Sequence, residues 1–422
     1  MVFSNNKFSK TSSSRGSSFR GGFGSRSNSS KPPFKNSFRG GNRSKRPIKE
    51  LNVHFSQFIK EAEPKVVQDY VSKNSFDDFE LDERLRAQIK ARGYINPTPI
   101  QDQTIIHALE GRDILGLANT GTGKTAAFLI PTLHQTLQSK KNGKISRTLI
   151  IAPTRELAIQ IDQELRQFLF DKSQIYSLVM VGGTDIVRDL RALKRPFDFY
   201  IGTPGRIMDL LNRKALDISE CNNVVLDEVD RMLDMGFIDD IKTIFKFLPQ
   251  KRQTLFFSAS MDKKTKPLAD SLLINPVSIS IESGQGSSNI HQNILRVSRG
   301  GNKSDLIDQF IKENTPSKTL IFTRTKRAVD DLYEYLYKKG HNVDSLHGDK
   351  SLGSRRKALE KFKKGDVSIL VATDVAARGL DVSDISHVIN YDLPDTYETY
   401  IHRIGRTGRG KSVGWAYTII EG

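Results

Sequence analysis

The chain has 422 residues, a formal net charge of +17 and a hydrophobic content of 37%. A length of that order suggests two or three domains, and no run approaches the ~18 apolar residues needed to cross a membrane. A single cysteine, Cys221, excludes an internal disulfide and a cysteine-based metal site and fits a reducing, cytosolic setting.

Residues 1–49 hold six Lys, six Arg and no acid, a local +12; subtracting it from +17 leaves +5 for the rest. This tail has thirteen Ser and six Phe, and it repeats SFRGG at 18–22 and 37–41. It cannot bury enough apolar area to offset its ordering entropy, so a disordered basic tail is expected. Composition leaves three readings. The tail is a solvated, solubilising segment, or an RNA arm whose Arg meet phosphates and whose Phe stack on bases, or an acid-poor transit peptide. The RGG repeats favour RNA contact over import. Residues 50–75 read as a short accessory segment, with Phe55, Phe58 and Ile59 close to helical spacing before Pro64; packing against the body is the default expectation.

From residue 76 short apolar runs recur: DILGLA (113–118), TLIIAP (148–153), SLVMVGG (177–183), FYIGTP (199–204), NVVLDE (223–228) and TLFFSAS (254–260). Longer stretches with helical period lie between them, such as RELAIQIDQELRQFLF (155–170). Continuous apolar strands alternating with helices predict an α/β fold with a parallel sheet covered on both faces. The pattern pauses at the polar ESGQGSSN (282–289), which reads as a linker. It resumes with TLIFTR (319–324), NVDSLHG (342–348), VSILVAT (367–373), HVINYD (387–392) and GWAYTII (414–420). Two α/β domains are therefore expected, at 76–281 and 291–422, joined by a linker at 282–290.

ANTGTGKT runs from Ala118 through Asn119, Thr120, Gly121, Thr122, Gly123 and Lys124 to Thr125, after a predicted strand and before a predicted helix. That is the context a phosphate-binding loop requires. Gly121 and Gly123 let backbone N–H groups converge on phosphate oxygens, Lys124 supplies a cation to the β/γ-phosphates, and Thr125 supplies a hydroxyl to Mg²⁺. An ordinary Gly-rich turn is the bland alternative, and the strand–loop–helix context argues against it. VVLDE ends in Asp227, suited to hold Mg²⁺ through water, and Glu228, suited to polarise the attacking water.

Phe76 and GYINPTPIQ (93–101) are followed by PTRELA (153–158), Gly182-Gly183, TPGR (203–206), DEVD (227–230), SAS (258–260), IFTRTK (321–326), ATDVAARGLD (372–381) and HRIGRTGR (402–409). In this order they make residues 76–420 resemble the DEAD-box RNA helicases of superfamily 2. The resemblance implies two RecA-like domains, ATP as nucleotide and RNA as partner. It implies that Gln101 reads the adenine edge while Phe76 and Tyr94 pack on the base, and that Gly379 and Asp381 approach the ribose. Arg406 and Arg409 would be arginine fingers. Asp230, Ser258, Ser260 and His402 would couple the sites. Pro153, Thr154, Arg155, Gly182, Gly183, Thr203 and Arg206, with Arg324, Arg355 and Thr373 of the second domain, would line an RNA backbone groove, a kind of contact that carries no base information. A cytoplasmic monomer is expected. The strings TLIFTRTK and HGDKS look most like the bacterial RhlE-type branch, which suggests ribosome assembly or RNA turnover.

Three positions depart from the family pattern. Val229 stands for Ala, Ser260 for Thr, and Leu352 for the Gln three residues before Arg355. Leu352 predicts a missing hydrogen bond and weaker coupling. The space for Val229 is expected to come in part from the methyl that Ser260 lacks. The motifs imply an ATP-dependent RNA helicase that remodels RNA by closing two domains. An ATP-gated RNA clamp without strand separation is the alternative. The adenine-reading block and HRIGRTGR argue against a DNA-directed motor.

Overall fold

The computed structural model describes residues 58–63, 70–119, 121–170, 174–281, 289–377, 382, 384–408 and 412–421. The tail 1–49 and residues 282–288 of the expected linker lie outside the described residues.

The apolar runs of the first domain form β1 (Ile114–Leu117), β2 (Thr148–Ile151), β3 (Ser177–Met180), β4 (Phe199–Gly202), β5 (Asn223–Leu226), β6 (Gln253–Ser258) and β7 (Val277–Ser280). They pair in the order β3-β4-β2-β5-β6-β1-β7, every pair parallel. β2, β4, β5 and β6 are buried at every position, as a sheet covered on both faces requires. Phe256 and Phe257, neighbours in β6, enter opposite apolar layers, one around Ile207 and Ile241, the other around Phe128 and Ile161. Gly116 of β1 lies against the Phe257 ring, and a Cβ there would come within 2.6 Å of it.

The second domain repeats the plan. β8 (Ile290–Val297), β9 (Thr319–Thr323), β10 (Val343–Leu346), β11 (Ile369–Thr373), β12 (His387–Asn390) and β13 (Gly414–Glu421) form a parallel sheet ordered β10-β11-β9-β12-β13-β8. Leu320 and Ile321 of β9 again point to opposite layers. The edge strands β7 and β8 are the two that a search for continuous apolar runs does not find. β8 mixes polar and apolar residues without a continuous apolar run and begins at Ile290, inside the span read as linker.

All strands of a sheet run one way, so the segments after β1, β2, β3, β4, β5 and β6 emerge at one edge, the place where open α/β sheets hold ligands. Every first-domain motif quoted above, the aromatic and Gln block excepted, follows one of these strands. Among the described residues no helix is long and apolar enough to cross a membrane.

Candidate nucleotide and nucleic-acid cleft

The loop after β1 turns at Gly121 and Gly123, both at positive φ (87° and 93°), a conformation that costs glycine nothing and other residues much. The helix Lys124–Lys141 starts there. Lys124 is buried, and its Nζ donates to Ala118 O at 2.9 Å and lies 3.9 Å from Asp227 Oδ1. The second distance is an electrostatic contact and too long for a hydrogen bond. Asp227 Oδ1 is buried without a hydrogen-bond partner. Burial holds the Asp227 carboxyl above the usual carboxylate range in spite of Lys124. A buried carboxylate oxygen left open beside a phosphate loop suits a hydrated cation.

Gln101 closes this loop from the side. It sits in the first turn of the helix Pro99–Leu109, where its Oε1 accepts from Thr98 N–H at 3.0 Å and its Nε2 donates to Gly123 O at 3.1 Å. Both ends of the carboxamide are thus engaged with protein, tying helix to phosphate loop. Phe76 and Tyr94 meet edge to face with ring centroids 5.6 Å apart and line a cavity of about 140 Å³ with Arg86 and Ile89.

Glu228 is the strained residue of the site. It is buried with φ 54° and ψ 52°, the left-handed region, at a cost on the order of 1–3 kcal/mol. Its carboxylate pairs with Arg231, also buried. Burial raises the Glu228 carboxyl, but the positive charges of Arg231, Lys124 and Arg406 outweigh it, so the group sits below the usual range and is ionised. Arg406 belongs to the second domain, so this charge pairing crosses the cleft. A cavity of about 10 Å³ lies at the same place, lined by Arg231 of the first domain and by Asp374, His402, Arg403 and Arg406 of the second. Asp230 turns the other way and accepts from Ala259 N–H (3.3 Å), and the single Ser258 hydroxyl proton is shared between Asp230 Oδ1 (3.1 Å) and Ser260 O (2.8 Å). Thr120, Gly379, Asp381 and Arg409 lie outside the described residues.

On the nucleic-acid side, Thr154 caps the helix Arg155–Phe168 by accepting from Leu157 N–H. The Arg155 guanidinium lies against Gly182 and Gly183, where a Cβ on either would crowd it. Pro153, Thr203 and Thr373 are buried at strand ends. Arg324 is exposed; its N–H donates to Asp392 Oδ2 at 2.8 Å and its Nη2 to Leu393 O at 3.1 Å.

Several expectations need correction. Arg206 does not face a groove: it is buried, with Nη1 on Asp189 Oδ2 at 2.6 Å and Nη2 on Thr184 O at 2.7 Å. Arg355 is buried too, and its Nη2 lies 2.9 Å from Glu156 Oε1 of the first domain. That contact is close but misaligned, because neither Glu156 Oε1 nor Arg355 Nε has a hydrogen-bond partner. Arg355 is therefore an interdomain clasp. Leu352, one turn earlier, packs against the first domain's apolar layer, so the position makes an apolar contact across the cleft. Val229 is fully buried while Ser260 is exposed, so the methyl missing at Ser260 opens no room for Val229.

Arg231, Glu156 and Arg403 were not singled out by sequence. Only Arg231 carried a local signal, its i,i+3 spacing from Glu228. Arg403 is held by Asp374 (2.6 and 2.7 Å), Asn390 Oδ1 (3.2 Å) and Asp392 O (2.7 Å).

A phosphate loop and acid pair on one α/β domain, beside an arginine of a second such domain, define a two-domain RecA-like nucleoside triphosphatase. The DEAD/DEAH box helicase family matches residues 98–268, and the helicase conserved C-terminal domain matches residues 302–411. The ATP-dependent RNA helicase CshA of Listeria monocytogenes is 43% identical over 346 residues, covering 82% of this chain and 66% of that protein. The DEAD-box ATP-dependent RNA helicase CshA of Bacillus licheniformis is 44% identical, covering 82% and 70%. The chain thus spans about two thirds of the length of these curated relatives. Among solved structures, S. cerevisiae Dbp5 bound to RNA and ADP BeF3 superposes with a TM-score of 0.71 at 29% identity, covering 82% of this chain and 90% of that one. Mss116p bound to ssRNA and AMP-PNP gives 0.73 at 29%, covering 83% and 76%. This chain belongs to the DEAD-box family of ATP-dependent RNA helicases.

Proposed function

We infer that the protein couples ATP hydrolysis to local unwinding or remodelling of RNA through closure of its two domains. The observation that carries this is the buried cluster of Lys124, Asp227, Glu228 and Arg231 at the strand ends of the first domain, with Arg406 of the second domain lining, together with Arg231, the small cavity beside it. Lys124 binds the β/γ-phosphates, and Glu228, held by Arg231, accepts a hydrogen bond from the attacking water and orients it. Arg406, with Arg409, places positive charge where the transferred phosphoryl gains negative charge. Thr125 and Asp227 would hold Mg²⁺, which supplies charge neutralisation at the phosphates. Gln101 recognises the base with the hydrogen-bonding capacity left after its bonds to Thr98 and Gly123, since a carboxamide has two N–H donors and two lone pairs on oxygen.

Residues 76–281 are the ATP-binding half and 291–422 the C-terminal half. RNA contacts come from Thr154, Arg155, Gly182, Gly183 and Arg324, backbone-directed and without base readout. Because each half carries part of both sites, ATP and RNA must strengthen each other's binding. The tail 1–49 is an RNA arm, and deleting it should flatten the salt dependence of RNA affinity; an unchanged slope rejects the arm. The protein works as a cytoplasmic monomer. An RhlE-type role in ribosome assembly or RNA turnover rests on TLIFTRTK and HGDKS alone, since the relatives above carry the CshA name.

The test is strand displacement on a short RNA duplex with ATP and with a non-hydrolysable analogue. Displacement with ATP, abolished with RNA-stimulated ATPase in Lys124→Ala, is expected. ATP-dependent binding without displacement identifies the clamp, and full activity of Lys124→Ala rejects the phosphate-loop assignment.

A further inference from the structure

The residues just upstream of Phe76 precede the first domain in sequence, yet their two ends are fastened to different domains. Phe58 is buried among second-domain side chains, Ile290, Tyr400, Ile404 and Ala416, and its ring meets Tyr400 edge-on at 4.7 Å between centroids. Lys60 pairs antiparallel with Gln292 of β8, with both backbone hydrogen bonds made (3.0 and 2.7 Å), and Ala62 N–H donates to His291 Nδ1 at 3.3 Å. β8 is an edge strand, so one side of its backbone is open to such an addition. Further on, Asp102 binds the chain to the first domain. It accepts from Tyr70 Oη (2.6 Å), from Lys73 N–H (2.7 Å), and from the backbone and side chain of Asn74 (3.2 and 2.7 Å), and it is itself 2% exposed.

Both anchors adjoin the nucleotide machinery. Asp102 follows Gln101 in the helix Pro99–Leu109. Tyr400 is central in the helix Tyr397–Ile404, which carries His402 and Arg403 and leads into Arg406. The Tyr400 hydroxyl donates to Gln292 Oε1 at 2.9 Å, so the residue that pairs with Lys60 also fixes the ring under Phe58. Eight residue steps separate Ala62 from Tyr70, a reach of at most roughly 26–29 Å. The two anchor points cannot lie farther apart than that without one of them releasing.

We propose that residues 58–62 and 70–74 are the two ends of a strap joining the adenine side of the first domain to the arginine helix of the second, and that Phe58 is a positioning residue for Arg406. The strap limits opening and keeps the arginine helix within range of Glu228 between turnovers. The role given to Arg406 rests on the function proposed above; the tether does not.

The test uses the full chain labelled at Asn142→Cys and Lys339→Cys, both exposed positions, while the buried Cys221 stays unlabelled. Interdomain distances are read by single-molecule fluorescence without ligand, and kcat and KM for ATP are measured with RNA. Phe58→Asp should broaden the distance distribution and lower kcat about tenfold with KM for ATP little changed, as expected from losing one buried aromatic anchor. Phe58→Leu should restore both. The pair Tyr70→Phe with Asn74→Ala, at the other end, should broaden the distances in the same way. Unchanged distances in either anchor variant overturn the strap. Broadened distances with unchanged kcat overturn the positioning role alone. Because the distances are measured without ATP or RNA, a failure of the helicase reading leaves that arm interpretable.

Discussion

Lys124, Gln101 and Asp230 of the first domain are each held by a hydrogen bond inside that domain, whereas Arg406 of the second domain lines a cavity with Arg231, the first-domain partner of Glu228, and its charge acts on Glu228 from across the cleft. The first domain is thus preorganised, and the second contributes charge only when the two are apposed. The contrast recurs within one motif. Arg403 and Arg406 lie three residues apart in HRIGRTGR, yet Arg403 is bound on all sides by Asp374, Asn390 and Asp392 O of its own domain. Within one run, therefore, Arg403 ties the helix to its own domain, and Arg406 lines the cavity shared with Arg231 of the first domain.

The largest expected effect separates those two arginines. Arg406→Ala should lower RNA-stimulated kcat by about 10³–10⁵-fold, the range for arginine fingers in related nucleoside triphosphatases, a loss larger than any change in its folded fraction accounts for. Arg403→Ala should do the reverse in kind. It leaves Asp374 and a carbonyl without their donor, costing roughly 1–3 kcal/mol of stability by denaturant unfolding. A kcat in folded Arg403→Ala as low as that of Arg406→Ala would break the division.

The next contrast lies between Arg155 and Arg206, both expected from sequence to face RNA. Arg206→Ala strands Asp189, 1% exposed, and should destabilise the chain by about 3–5 kcal/mol. Arg155→Ala should weaken RNA binding and leave stability alone. The sign of the pH dependence follows from Asp189. Burial already holds its carboxyl above the usual range, with Arg206 pulling it back. A carboxyl whose native pKa is raised takes up a proton on folding, so its cost is full above that pKa and fades as the pH falls through it toward the unfolded value. The gap in stability between Arg206→Ala and the parent should therefore narrow from pH 7 to pH 4. A gap that widens would show that Asp189 is not the group left uncompensated.

The central strands were legible because a parallel strand buried on both faces is apolar along most of its length, as in Leu149–Ile151 and Val224–Leu226. β7 and β8 were not, because VSIS alternates and IHQNILRV opens with three polar residues after Ile290, which an edge strand tolerates; the other edge strands, β3 and β10, keep enough apolar residues to be seen. The chemistry of the site was legible too, since Gly-Lys-Thr and Asp-Glu after strands restrict what can bind. Partners were not. A motif says that an arginine is required at 206 or 355 but not which acid it meets, and Asp189 and Glu156 lie 17 and 199 positions away along the chain. Phe58 was noticed as an apolar residue, yet nothing local says that its pocket belongs to the other domain.

The smallest effect tests how the apposed state is held on the nucleic-acid side. The ATP side closes on charge, Glu228 against Arg406, and the other side on a misaligned ion pair and one aliphatic contact, Leu352 on the first domain's core. Leu352 is only partly buried, so its contact contributes about 1 kcal/mol, less than the ~1.5–3 kcal/mol of a fully buried leucine. Leu352→Ala should therefore lower RNA affinity about fivefold when an ATP analogue is bound and leave it unchanged without nucleotide, because only the closed state makes the contact. Leu352→Gln restores the polar residue usual at this position but must bury a carboxamide against an apolar layer. It should be no better than Leu352→Ala unless the amide reaches a partner such as Glu156 Oε1, which lacks one. An affinity above the parent's in Leu352→Gln would mean that the leucine weakens coupling, and the apolar contact would then be incidental to closure.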